Sequence, residues 1–266
     1  MRVKFLLASA LALFAVIFLL WSEHAQTGKS DAAASDGVRL ASVGLCVIDN
    51  KIPSDSAMEA TISVYRDRIN DIMDEPLCKS VTTMEARRPE SSLTRFLSDV
   101  LLTATQEFAA DNGFTRPDMS LINIGGIRDI LPEGPVTVGD VYTISPFENS
   151  PIVLSLDSAG VMAMLNHVAE RGGEAISGVT MSIDGTTAKN VKVCGQPLTS
   201  GKNYRLATLD YLATGGDGFS CLTDKKDYET GVVFRDMFIH YLRRLGESGV
   251  AIDDPGNVRI TVESTK

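Results

Sequence analysis

The stretch YRLATLDYLATGGDGF, residues 204–219, joins an alternating apolar segment to a glycine-rich loop that ends on a phenylalanine. The first half predicts a β-strand, and glycine suits the loop because it reaches positive φ at no steric cost. Two interpretations of Phe219 follow. Either the loop is an ordinary tight turn, or it holds the ring out as a stacking surface for a ligand. The loop and the ring alone favour the ordinary turn.

The composition is that of a globular protein with an acidic balance. Of 266 residues, 44% are hydrophobic and 22% are charged, and the formal net charge is −9. A chain this acidic is expected to have no broad basic face, so we expect no nucleic acid partner. The acidic balance does not exclude small anionic ligands, because a few local arginines can bind a phosphate.

The N-terminus carries a targeting signal. Arg2 and Lys4 precede an uninterrupted apolar run at residues 5–21. This pattern predicts a signal peptide or a signal anchor over residues 1–22, and therefore export of the rest of the chain to the periplasm or cell envelope. Residues 23–41 are small and polar and predict a flexible tether. We expect membrane contact only through the N-terminal segment.

Export gives the four cysteines a possible structural role. In an oxidising compartment they can form two disulfides. Cys46 with Cys78 is the favoured pair, since each lies in a short apolar strand flanking one helix, and Cys194 with Cys221 then remains. Buried free thiols are the alternative, because spacing cannot fix the connectivity. No C-x-x-C is present, which argues against a zinc site.

Strands and helices are mixed from residue 42 to residue 266, which we treat as one domain. Strands are predicted at 42–49, 119–126, 151–157, 178–184, 190–195, 203–209 and 257–263, and helices at 55–73, 90–113, 158–173 and 233–248. The helix at 90–113 has one apolar stripe, with Ser91 or Ser92 as its cap and Asn112-Gly113 at its end. Strands occur both as hairpin neighbours and with helices between them, which predicts an α+β fold with a mixed sheet.

The chain lacks the patterns needed for self-sufficient hydrolysis. His24, His167 and His240 belong to no H-x-H, H-E-x-x-H or D-x-H spacing, and there is no G-x-S-x-G elbow or Walker-type loop. A hydrolytic metal site needs several converging ligands. We therefore expect no catalytic residue and no cofactor in this chain.

Side chains that can bind a ligand lie next to three of the predicted strands, after two of them and before the third. NIGGIRD, residues 123–129, places Asn123 and Arg128 around two glycines; an amide offers both donor and acceptor, and a guanidinium can fork onto phosphate. SPFENSP, residues 145–151, holds Phe147 between prolines. Two rings, Phe147 and Phe219, can sandwich a planar base, with stacking worth about 1–3 kcal/mol.

These motifs together resemble the C-terminal domain of the 5'-nucleotidase family, which includes bacterial UDP-sugar hydrolases and animal ecto-5'-nucleotidases. The resemblance runs from about residue 43 to about residue 222, and residues 42–86 are similar to the family's interdomain helix region. It implies a domain that recognises the substrate. The substrate-binding residues it implies are Arg87, Asn123, Gly125, Gly126, Arg128, Phe147, Asn149, Gly216, Asp217 and Phe219. Phe147 and Phe219 would clamp the base, and Arg87 corresponds to an arginine three residues before an acidic position, here Glu90. Ile124 stands where the family often has a third glycine.

The resemblance does not extend to the catalytic half of the family's enzymes. Those enzymes carry an N-terminal metallophosphatase domain with two metal ions, whereas the sequence before residue 43 is the predicted export signal and tether. We therefore expect this chain to be the nucleotide-recognition half of a 5'-nucleotidase, with divalent metals only in a separate metallophosphatase subunit. The alternatives are a stand-alone nucleoside- or nucleotide-binding module of the envelope, or an interaction domain with a degraded pocket.

Overall fold

The computed structural model describes Asp49 and residues 52–263. The chain divides into two units, and the helices and strands given below lie in the second, Asp55–Lys266. The predicted export signal and tether, and the first predicted strand apart from Asp49, fall outside the described residues. Within the described part of the chain, no helix combines the length and the apolar character needed to cross a bilayer.

Helices and strands alternate irregularly along the second unit, with three short 3₁₀ turns among its loops. In chain order the elements are α1 (Ser56–Met73), β1 (Pro76–Ser80), α2 (Ser92–Asp111), β2 (Met119–Ile122), β3 (Gly134–Thr137), α3 (Val138–Ile144), β4 (Pro151–Asp157), α4 (Ser158–Glu170), β5 (Ala175–Ser177), β6 (Val179–Asp184), β7 (Thr187–Val193), β8 (Gln196–Pro197), β9 (Asn203–Leu209), α5 (Asp210–Ala213), β10 (Lys226–Glu229), α6 (Phe234–Glu247) and β11 (Ile260–Val262). The predicted α+β class is confirmed.

The central sheet is mixed, as predicted. Its five strands lie in the order β10-β4-β9-β2-β5, and β9 pairs antiparallel with β4 but parallel with β2. A second sheet has the order β11-β6-β7-β8, with β11 parallel to β6. β1 and β3 form a separate antiparallel pair.

Helix α2 follows closely from its sequence. Ser91 is the N-cap, with a capping box completed by Thr94, and Asn112 ends the helix ahead of Gly113, whose φ of 72° is left-handed. The predicted apolar stripe is buried along most of its length and packs against β2, β5 and α6. By contrast, α1 begins at the predicted place, capped by Asp55, yet buries none of its own residues.

Several elements were not predicted from the sequence. These are β3, α3, β5, β8, α5 and β10, each seven residues or shorter. β10 (Lys226–Glu229) is largely polar and becomes a strand by pairing with the edge of β4. Helix α3 did carry a local signal, since Thr137 and Asp140 form a capping box. Such short segments depend on tertiary partners more than on periodicity.

Two clusters of buried side chains form the core. The first packs α2, α3 and α6 together, and the second surrounds α4 between the two sheets. Phe219 belongs to the second cluster and is 0% exposed. Its ring meets the edge of the His167 imidazole, with 4.5 Å between ring centroids. The prediction that Phe219 is exposed as a stacking ring is therefore wrong, because the chain turns after Gly218 and drives the ring inward beside Leu222.

The described cysteines are free thiols. Cys194 donates its thiol proton to the Asp118 carbonyl at 3.4 Å, and Cys221 packs beside the second core cluster, so the predicted Cys194–Cys221 disulfide is wrong. Cys78 does lie in a strand, β1, where burial raises the pKa of its thiol to about 11. Its favoured partner, Cys46, lies outside the described residues.

The burial of Phe219 predicts a large stability loss on truncation. Phe219→Ala in the full chain should lower the free energy of unfolding by about 3–5 kcal/mol, because it removes a packed core ring. Phe147→Ala is the matched control, since that ring is 48% exposed and should cost far less. Chemical denaturation of both variants measures the difference; equal losses would contradict the core assignment.

A candidate ligand-binding site between three loops

Three loops meet at one edge of the central sheet and enclose a cavity of about 270 Å³. One loop follows β2, one follows β9, and the third precedes β4. Because β2 and β9 are parallel, their carboxyl ends lie at the same edge, and the antiparallel pairing of β4 brings its start there too, with Pro151 opposite Leu209. The cavity is lined by Asn123, Gly125, Gly126, Phe147, Asn149, Tyr211 and Asp217.

Three larger grooves lie elsewhere, of about 760, 570 and 550 Å³. The first lies between β1 and the carboxyl end of α6, the second lies between the start of α4 and β7, and the third lies between α2 and α6. None of them contains a predicted site residue. The smaller cavity is the better candidate, since it gathers six of the ten predicted residues together with an unpaired buried acceptor.

Two exposed aromatic rings line the cavity, Phe147 and Tyr211. Phe147 is 48% exposed and Tyr211 is 43% exposed, so both present a free face. Tyr211, rather than Phe219, is therefore the exposed ring of the loop after β9. The sequence feature that could have identified Tyr211 is its position two residues after the end of β9, at the sheet edge, whereas Phe219 lies beyond the glycines.

Asp217 links two of the three loops. Its Oδ1 accepts a hydrogen bond from the Tyr211 hydroxyl at 3.0 Å, and its Oδ2 accepts from Asn123 Nδ2 at 2.9 Å. Its backbone has a φ of 53° between two left-handed glycines, Gly215 and Gly218. Gly216 matters for a different reason, since a Cβ there would lie 2.6 Å from the Tyr211 ring.

Asn123 lines the cavity and carries a buried, unpaired acceptor. Its side chain is buried and its Oδ1 has no hydrogen-bond partner within the described protein. A buried unpaired acceptor costs free energy unless a donor reaches it from water or a ligand. Gly126 keeps the space open, because a Cβ there would lie 3.1 Å from that oxygen. A hydrogen-bond donor placed against this oxygen would remove that cost.

The predicted arginines do not line the cavity. Arg128 is exposed beside it, and its Nη1 donates to the Gly125 carbonyl at 3.3 Å. Arg87 is also exposed, and its Nε donates to Glu85 Oε2 at 2.8 Å. Arg128 thus lies on a cavity loop, whereas the structure leaves Arg87 paired with an acidic neighbour.

An arginine that sequence reasoning missed supports the Phe147 loop. Arg235 of α6 is buried and donates to the Pro146 carbonyl at 2.9 Å, and its guanidinium carbon lies 4.2 Å from the centroid of the Tyr142 ring. The Asn149 carbonyl accepts from the Phe234 amide at 2.8 Å. The start of α6 therefore fixes the loop that carries the exposed ring.

The remaining titratable groups near the site are engaged in structural contacts. His167 Nε2 lies 3.0 Å from the Asp217 carbonyl oxygen, and its Nδ1 lies 3.2 Å from Glu170 Oε2. Among Asp49 and residues 52–263, no group of three His, Cys, Asp or Glu side chains is arranged to hold a metal ion.

Comparison with known proteins identifies the family. The model of the family described as 5'-nucleotidase, C-terminal domain, matches residues 69–224. Protein UshA of Yersinia enterocolitica is 30% identical over 154 residues, which are 56% of this chain and 27% of that protein. An apyrase of Tabanus yao is 24% identical over 80% of this chain and 43% of its own length.

Solved structures agree. The crystal structure of a 5'-nucleotidase precursor from Thermus thermophilus has a TM-score of 0.66 at 25% identity, covering 80% of this chain and 44% of that one. The chain spans between about a quarter and just under half the length of these relatives. Since the family model covers more than half of the chain, this protein belongs to the 5'-nucleotidase C-terminal domain family.

Proposed function

We propose that the cavity binds the nucleoside part of a nucleotide, and that this chain is the recognition half of a 5'-nucleotidase. The observation that carries the proposal is the pair of exposed rings, Phe147 and Tyr211, lining one cavity with the unpaired acceptor Asn123 Oδ1. Two aromatic faces suit a planar base, and stacking on aromatic rings is worth about 1–3 kcal/mol per base.

The polar groups favour a ligand that donates hydrogen bonds. Asn123 Oδ1 has no partner among the described residues, and Asp217 Oδ1 accepts from the Tyr211 hydroxyl and has a second lone pair. Sugar hydroxyls and base N–H groups are donors of this kind. The small volume fits a nucleoside better than a larger ligand, and a phosphate would extend outward past the cavity.

Arg128 is the candidate phosphate contact. Its guanidinium is exposed on the loop of Asn123, and it has no carboxylate partner among the residues that the structure describes. A guanidinium with free donors can bind a phosphate through two parallel hydrogen bonds. Arg87 is a weaker candidate, since a ligand would have to compete with Glu85 for it.

The proposal places the chemistry in a second protein. The family resemblance implies that divalent metals and an attacking water belong to a metallophosphatase part, and we propose that a separate subunit supplies it. Hydrolysis would then break the bond between phosphorus and the 5'-oxygen and release a nucleoside and phosphate. We also propose export through the N-terminal segment, so that the chain acts in nucleotide catabolism in the periplasm or cell envelope. A stand-alone binding module is the second candidate, favoured if no partner changes ligand affinity.

Replacing the two rings tests nucleoside binding. In the full chain, held in mild detergent, Phe147→Ala and Tyr211→Ala should each weaken nucleoside binding by about five- to 150-fold, because each removes a stacking face. Tyr211→Phe should keep most of the affinity. Calorimetry gives the constants, and Phe114→Ala is the control, since Phe114 is 45% exposed and does not line the cavity. A loss no larger than that of the control would refute the stacking role.

If recognition and chemistry lie in separate subunits, the full chain with added divalent metal should release no phosphate from a nucleoside monophosphate above background. Addition of the metallophosphatase subunit should produce turnover that Phe147→Ala impairs. A phosphate assay measures both. Robust metal-dependent turnover by the chain alone, lost on mutation of its own residues, would overturn the division of labour.

Export predicts the location of the C-terminus. Since Arg2 and Lys4 precede the apolar run, a reporter fused after Lys266 should be active only outside the cytoplasm. Paired reporters, one active in each compartment, make the measurement. Activity of the cytoplasmic reporter alone would contradict export.

A further inference from the structure

We propose that Arg171 and Glu174 are positioning residues, which hold the Asn123 loop and the Asp217 loop in the geometry that binds a ligand. The inference rests on the proposed function for its binding readout. Neither residue lines the cavity. Each acts through hydrogen bonds to groups that do, or to their immediate neighbours.

Glu174 is the anchor of this arrangement. Its side chain is fully buried between the end of α4 and β5, and a buried carboxylate is costly unless its oxygens are paired. Oε2 accepts from the Ile124 amide at 2.6 Å, next to Asn123. Oε1 accepts from Arg171 Nε at 2.6 Å and from Arg88 Nη2 at 2.8 Å. The carboxylate therefore ties the loop after β2 to two arginines.

Arg171 carries the connection to the other loop. Its Nη2 donates to Asp217 Oδ2 at 3.1 Å, and its Nη1 donates to the Asp217 carbonyl at 3.1 Å. Burial acts to lower the pKa of this guanidinium, but the hydrogen bond to Glu174 and the nearby carboxylates outweigh burial and raise the pKa. A charged, planar fork thus spans from one buried carboxylate to one cavity residue.

The contacts close into a ring. Glu174 holds the Ile124 amide, Asn123 Nδ2 donates to Asp217, Asp217 accepts from Arg171, and Arg171 returns to Glu174. Because the Asn123 amide nitrogen faces Asp217, its Oδ1 is left as the unpaired acceptor of the cavity. The ring therefore sets the polarity that a ligand meets.

The Asp217 loop needs such support. Asp217 is a non-glycine residue at a φ of 53°, a conformation that costs free energy without outside restraint. Its carbonyl is held by Arg171 and faces His167 Nε2. Loss of Arg171 should release the loop toward other conformations and reduce the fraction of molecules that can bind.

The test compares Arg171→Met with a matched control in the full chain. Arg205→Met breaks another partly buried pair, with Asp227, of similar exposure: 30% for the Arg205 side chain against 26% for Arg171. Arg171→Met should weaken nucleoside binding about tenfold, on the scale of a lost charge-assisted hydrogen bond. Arg205→Met should lower stability by a similar amount, but its nucleoside affinity should stay within about twofold of the wild-type value.

A double-mutant cycle separates positioning from general destabilisation. If Arg171 acts through Asp217, Arg171→Met should cost less than about twofold in an Asp217→Ala background. Additive losses, or full affinity in Arg171→Met, would overturn the inference. If Arg171→Met does not fold, Glu174→Gln tests the same ring, since it keeps the shape but removes the charge.

Amide hydrogen exchange tests the ring without any ligand. In Arg171→Met, exchange should rise in residues 123–126 and 215–219 and stay unchanged in Arg205→Met. The wild-type chain could bind no nucleoside while Arg171→Met still increases exchange in both loops. That result would refute the proposed function and support the positioning role. Unchanged exchange in both loops would sink the positioning role by itself.

Discussion

β9 pairs with β4 on one side and β2 on the other, antiparallel in the first case and parallel in the second. This mixed junction directs the end of β2, the end of β9 and the start of β4 to the same edge of the sheet. The three loops that line the cavity begin or end there. Without that arrangement Phe147, Asn123 and Tyr211 would be scattered over the surface. The core clusters on the two faces of the sheet keep the junction rigid, so the loops start from fixed positions.

Besides the packing of Phe219 in the core, the loops are held by buried and partly buried charged side chains. Glu174 and Arg171 join two loops, and Arg235 holds the third through the Pro146 carbonyl. A buried ion pair contributes little net stability, but breaking one partner is costly, which makes it a specific restraint on geometry. Glycines supply the backbone shapes that these contacts need, and Gly216 and Gly126 leave room for the Tyr211 ring and the Asn123 oxygen.

The proposed separation of recognition from chemistry draws on the family and on the cavity. The chain covers about a quarter to just under half of its relatives' lengths, and the matched family is defined by the C-terminal domain of 5'-nucleotidases. Ligand pockets are usually preformed and have few polar groups, and this cavity is lined by two exposed rings and by Asn123, whose Oδ1 is buried and unpaired. Preorganisation of that pocket by the ring of hydrogen bonds would lower the entropic cost of binding.

Local sequence determined most of the longer helices and strands and the identity of the cavity loops. Apolar periodicity and caps located α1, α2, α4 and α6, alternation located the long strands, and the motifs around Asn123, Phe147 and Asp217 identified all three cavity loops. Tertiary structure alone decided which aromatic ring of the loop after β9 lines the cavity, because a glycine turn specifies a change of direction but not which side the core lies on. It also decided the hydrogen bonds that Asp217 accepts from Arg171 and Asn123, which lie 46 and 94 residues away in the chain. Contacts over such separations follow from strand order, which periodicity does not encode.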